Sequence, residues 1–120
     1  MIATLTSGLA AFNLVCTVQT TFIDHKKQDG PSFPIEYRVD LAAGRFCVGV
    51  CEETRPIAKV DPTDIYLVAD RYPDGTNKEF IWISRESASY LWVLGEGSIE
   101  LRSVGKCEKR PFTGFPARKF

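Results

Sequence analysis

Apolar side chains recur at every second position through most of this chain, and no stretch of helical length carries apolar spacing of three and four. A period of two is the side-chain repeat of a strand with one buried face. Phe12, Leu14, Cys16, Val18, Thr20 and Phe22 fall on one side of the first such segment, and Ile35, Tyr37, Val39 and Leu41 on one side of the next. The same pattern predicts strands over 12–22, 35–41, 45–48, 57–60, 65–69, 78–84, 89–94 and 98–104. Turn chemistry separates them: the loop 24–34, Ala42-Ala43-Gly44, Asp61-Pro62, Tyr72-Pro73-Asp74-Gly75, Arg85-Glu86-Ser87-Ala88 and Gly95-Glu96-Gly97. These connections are too short for parallel crossovers. The expected fold is therefore all-β, a single antiparallel meander of about eight short strands forming a small barrel or sandwich. At 120 residues one domain is expected. It runs over 12–120, with 1–11 a leader remnant or disordered start and an extended basic and aromatic tail at 105–120.

Four cysteines stand in this short chain with no Cys-x-x-Cys and one histidine, His25, so a zinc site lacks its usual close ligand pairs. Two disulfides explain them better, and disulfides belong to oxidising compartments, here the periplasm or the exterior. Four cysteines allow three connectivities. Cys47 and Cys51 bracket Val48-Gly49-Val50, a reversal able to bring their α-carbons within bridging range, and Cys16 with Cys107 ties the first strand to the last. The pairing Cys16–Cys107 and Cys47–Cys51 is expected, and the bridges make the fold disulfide-stabilised. No apolar run reaches the roughly 18 residues that a membrane helix needs, so no membrane span is expected.

Lys+Arg and Asp+Glu both number 15, which leaves no global field to draw in nucleic acid. The tail is locally basic through Lys106, Lys109, Arg110, Arg118 and Lys119, and Lys109 and Arg110 are candidate contacts to a partner. His25 has no nucleophile motif beside it, and the adjacent Glu52 and Glu53 would face opposite sides of a strand. Neither a P-loop nor a dinucleotide-binding glycine pattern is present. No catalytic residue, metal or cofactor is expected, and the chain reads as a protein that is not an enzyme.

The segments 78–84 and 89–94 are apolar at odd and even positions alike. With Phe80, Trp82, Tyr90 and Trp92 assigned to the core face, Ile81, Ile83, Leu91 and Val93 form a second face. A strand with one wet face does not have this composition. The second face is then covered by the tail through Phe112, Phe115 and Phe120, by a protein partner or second copy, or by a ligand in a groove.

The end of the chain, CEKRPFTGFPARKF from Cys107 to Phe120, together with FNLVC at Phe12 to Cys16 and YRVDLAAGRFC at Tyr37 to Cys47, resembles a group of short exported bacterial proteins of unknown function. The resemblance implies an exported bacterial product and carries no activity. In size, disulfides and location the chain is also similar to small periplasmic β-barrel inhibitors of lysozyme or proteases, and no inhibitory residue transfers. The function expected first is a non-enzymatic exported β domain binding a protein or cell-envelope partner. The alternatives are a small calycin-like carrier of an apolar ligand and a periplasmic enzyme inhibitor.

Overall fold

The computed structural model describes residues 10–71 and 77–116. Among them the chain forms ten antiparallel strands and no helix: β1 (Ala11–Ile23), β2 (Lys26–Lys27), β3 (Phe33–Asp40), β4 (Arg45–Val48), β5 (Arg55–Pro56), β6 (Lys59–Val60), β7 (Asp64–Arg71), β8 (Asn77–Ser84), β9 (Ser89–Glu96) and β10 (Ile99–Arg110). They make one curled sheet, a half-barrel, in the order β5-β4-β3-β1-β10-β9-β8-β7-β6, with β2 paired to β1. The expected all-β, disulfide-stabilised meander is what forms.

Curling follows from the alternation, because along most strands one face is the more apolar and the sheet wraps round that face. Two cross-strand rows show it. Ile65, Ile83, Tyr90, Gly105 and Val18 lie opposite one another in turn on the inner face, as do Val68, Ile81, Trp92, Ser103 and Thr21. Across the interior, Tyr37 of β3 and Tyr90 of β9 meet hydroxyl to hydroxyl at 2.6 Å, and the Phe46 ring stands 6.4 Å from that of Tyr37. The two edges of the sheet are consecutive in the chain. Residues Ile57 and Ala58 link them, with the Ile57 amide donating to the Gly44 carbonyl at 2.9 Å and the Ala58 amide to the Leu67 carbonyl at 3.2 Å. This splits the strand expected over 57–60, since the link serves both edges and continues neither.

The cysteines pair as expected, Cys16 with Cys107 and Cys47 with Cys51. Cys16 and Cys107 lie directly opposite in the β1–β10 register, while the Cys107 amide donates away from β1, to the Ala88 carbonyl. Such a pair, not hydrogen-bonded to each other, brings side chains closer than its neighbours do.

The last strand runs past Gly105 to Arg110, whereas the sequence places a tail from 105. Gly105 does not stop the strand; it permits the strand to pass. A Cβ there would stand 1.8 Å from the Thr17 carbonyl oxygen, at the point where the β1 register shifts between Val18 and Thr20. Among the described residues the extended tail begins at Pro111 and crosses the outer face of β1 and β3, not that of β8 and β9. The Thr113 amide donates to Asn13 Oδ1 at 3.2 Å, Asn13 Nδ2 donates to Thr113 Oγ1 and to Glu36 Oε2, each at 3.0 Å, and Arg38 donates to the Gly114 carbonyl at 2.9 Å. Asn13 is thereby only 2 % exposed on a nominally outer face, with its polar atoms satisfied. Residues 1–9 of the expected leader segment, and Arg118, Lys119 and Phe120 of the tail, lie outside the described residues.

The tyrosine pair sets a measurable expectation. Tyr37→Phe leaves the Tyr90 hydroxyl buried without its partner, a loss of about 1–3 kcal/mol, while removing both hydroxyls costs less than the two single losses together. Burial pushes the Tyr37 pKa up, and burial raises that of Tyr90 to about 12. Unfolded tyrosine titrates at about 10, so above that pH the unfolded state sheds protons that the native state keeps. Stability is thus complete below about pH 10 and falls as pH rises through about 12, by about 1.4 kcal/mol per pH unit for each tyrosine. Urea unfolding from pH 9 to 12 should steepen downward in the parent and flatten in the double Tyr→Phe variant; equal slopes would contradict the closed interior.

Candidate functional site

Ile81, Ile83, Leu91 and Val93 do not form one surface. The register places Ile83 opposite Tyr90 and Ile81 opposite Trp92 inside, and Trp82 opposite Leu91 and Phe80 opposite Val93 outside. Ile81 and Ile83 are 4 % and 3 % exposed and belong to the core. The connection causes this. Residues 84–89 separate the paired Ile83 and Tyr90, and an even number of intervening residues sets odd positions on one strand against even positions on the other. The turn holds its length through the Ala88 amide on the Ser84 carbonyl, the Glu86 and Ser87 amides on Ser84 Oγ, and a positive φ of 63° at Ala88. The aromatic set splits in the same way, with Phe46, Tyr90 and Trp92 inside and Tyr66, Phe80 and Trp82 outside.

Outside, two rows cross the sheet. Tyr66, Trp82, Leu91 and Val104 form one, and Ala69, Phe80, Val93 and Arg102 the other. Most of these residues are half-buried by one another, and Val93 is only 4 % exposed. Ion pairs of Lys78 and Arg102 with Glu100, and a hydrogen bond from Trp82 Nε1 to Asp64 at 2.7 Å, frame them.

The inner face leaves space at one end of the half-barrel. A cavity of about 310 Å³ opens there, walled by Phe12, Leu14, Ile65, Ile83, Ala88 and the disulfide-bonded Cys107, with Ser84, Arg85 and Lys109 at its edge. Lys109 lies opposite Leu14, and its Nζ sits 5.8 Å from the centre of the Phe12 ring. Arg85 donates to the Asp61 carbonyl at 3.0 Å. Arg110, next to Lys109 in the strand, points to the other side and pairs with Glu108 at 3.0 Å. The two basic residues expected to act together therefore serve opposite faces.

His25 sits at the tip of a two-residue hairpin between Ile23 and Lys26, where both Asp24 and His25 have positive φ. It is exposed and distant in the register from the cavity wall. Among the described residues no three His, Cys, Asp or Glu side chains gather as metal ligands, and no helix is long and apolar enough to cross a membrane. Comparison with protein-family models, curated proteins and solved structures finds no match.

Of the residues singled out from the sequence, Ile83 and Lys109 meet at this cavity. Phe12, Leu14, Ile65, Ser84, Arg85 and Ala88 were not singled out, since the curl of the sheet gathers them from separate strand ends. One signal was available. Once Cys16 is set opposite Cys107, Leu14 must oppose Lys109 on the buried face, which aims a lysine at the interior.

Proposed function

We propose that this chain is a non-enzymatic exported binding domain that takes the apolar end of a small molecule into the open end of its half-barrel. The carrying observation is the cavity of about 310 Å³ whose wall is the apolar inner face itself. That volume stands at the lower end of the roughly 300–1,000 Å³ usual for small-ligand sites, and barrel mouths are among their preferred places. The pairing of all four cysteines supports the export part of the reading, since such bridges persist where thiols are not kept reduced. The resemblance to exported bacterial proteins, with its periplasmic or secreted location, agrees with it. In the cavity wall the one sulfur is bridged, which favours binding over covalent chemistry. Docking a partner through Ile81, Ile83, Leu91 and Val93 is weakened, because those residues lie on two faces.

Titration with 1-octanol, followed by the methyl resonances of the protein, tests the reading. Saturable shifts at Leu14, Ile65 and Ile83 are expected, with Leu91 and Val93 unmoved. Absence of saturation up to about 1 mM, an affinity of only about 4 kcal/mol, would count against a binding cavity.

A further inference from the structure

We infer that the cavity selects an organic anion with a single alkyl tail, the tail lying on Phe12, Leu14, Ile65 and Ile83 and the charged head held between Lys109 and Arg85. This rests on the binding reading above and adds the ligand's chemistry. Size comes first. A volume of about 310 Å³ equals about ten water volumes at roughly 30 Å³ each, room for a tail of roughly eight to ten carbons.

Charge decides the head group. The two charged side chains at the edge of the cavity are both cationic, and among the described residues neither has a carboxylate partner. Arg55, Lys78, Arg102 and Arg110 all do. Glu86, next to Arg85 in the turn, forms no ion pair with it, and two other nearby acids are engaged elsewhere. Glu108 pairs with Arg110, and the Asp61 carboxylate accepts from the amides of Thr63 and Asp64 and from the Thr63 hydroxyl. Asp61 offers Arg85 its backbone carbonyl only, at 3.0 Å, which leaves the other guanidinium donors available to a ligand. Lys109 is kept over the opening by its contact with Phe12, so its charge stands at the boundary between the apolar wall and water. A head group there can be bound by two cations without leaving solvent, while the tail gains from burial. A cationic amphiphile meets repulsion from both sides, and a neutral one gains the tail term alone.

The test compares sodium octanoate, 1-octanol and octylammonium on the full chain, read by methyl shifts at Leu14, Ile65 and Ile83. Octanoate should bind at least about tenfold more tightly than octanol, octylammonium more weakly than either, and the preference should shrink in about 1 M salt, where the screening length falls to about 3 Å. A Lys109→Gln/Arg85→Gln double variant should lose the preference for octanoate over octanol. Both side chains are exposed, and tryptophan fluorescence confirms that the variant is folded. Equal affinities for octanoate and octanol in the parent, or a preference that survives in the double variant, overturn the choice of an anion and leave the cavity reading standing. Failure of both ligands to saturate overturns both readings.

Discussion

Replacing Cys16 and Cys107 together by alanine should lower the free energy of unfolding by about 4.6 kcal/mol on the chain-entropy model, against about 2 kcal/mol for the Cys47/Cys51 pair. The ratio comes from loop length, since the first bridge spans 91 residues of sequence and the second 4. A second effect adds to it. Cys16 is fully buried in the core cluster, Cys107 packs against that cluster, and their bond crosses between β1 and β10, the central pair of the sheet. The small bridge instead pins the turn after β4, where Cys51 takes a positive φ of 56° and its amide donates to the Val48 carbonyl at 3.0 Å. Urea unfolding of the two double variants, compared by midpoint at a common slope, measures both losses. Equal costs, or the larger cost at Cys47/Cys51, would show that the unfolded chain is not governed by loop closure.

Phe46→Ala should cost about 3–5 kcal/mol, the usual range for emptying a buried phenylalanine site. Phe46 is 0 % exposed, although it belongs to a strand of only four residues near the edge of the sheet. Its ring packs beside Tyr37 on one hand and lies 5.6 Å beneath the Arg55 guanidinium on the other. Arg55 in turn bonds Glu79 of β8 at 3.2 Å, across the gap between the two sheet edges. Removing the ring thus opens the core and undercuts the contact that draws the edges together. Phe80→Ala, on the outer face and half-buried, is the control and should cost clearly less. If Phe46→Ala lost under about 1 kcal/mol, the half-barrel would not be packed shut on that side.

How much of this was legible from the residues varies from element to element. Alternation identified β1, β3, β4, β7, β8, β9 and the start of β10, and the cysteine spacing identified both bridges. Gly105 misled, because a glycine that ends a strand and one that lets two backbones touch are the same letter. The tail's anchor was hidden for a related reason. Asn13 is an ordinary polar outer position until Thr113, a hundred residues later, arrives to pair with it.

The candidate site shows the same division. That the inner positions are apolar, and that Lys109 must share a face with Leu14 once the bridge is drawn, follows from strand parity within the chain. Which residues of β8 and β9 share a face depends on the length of a turn, and a change of one residue there exchanges the two faces. Which strand ends surround an empty volume depends on the curl of the whole sheet, a property of all ten strands together. Sequence by itself therefore determined the class, the bridges and the buried faces of β1 and β3, because period and spacing are local. Tertiary structure decided the cavity, the separation of Lys109 from Arg110 onto opposite faces and the path of the tail, because each depends on registers set between residues far apart in the chain.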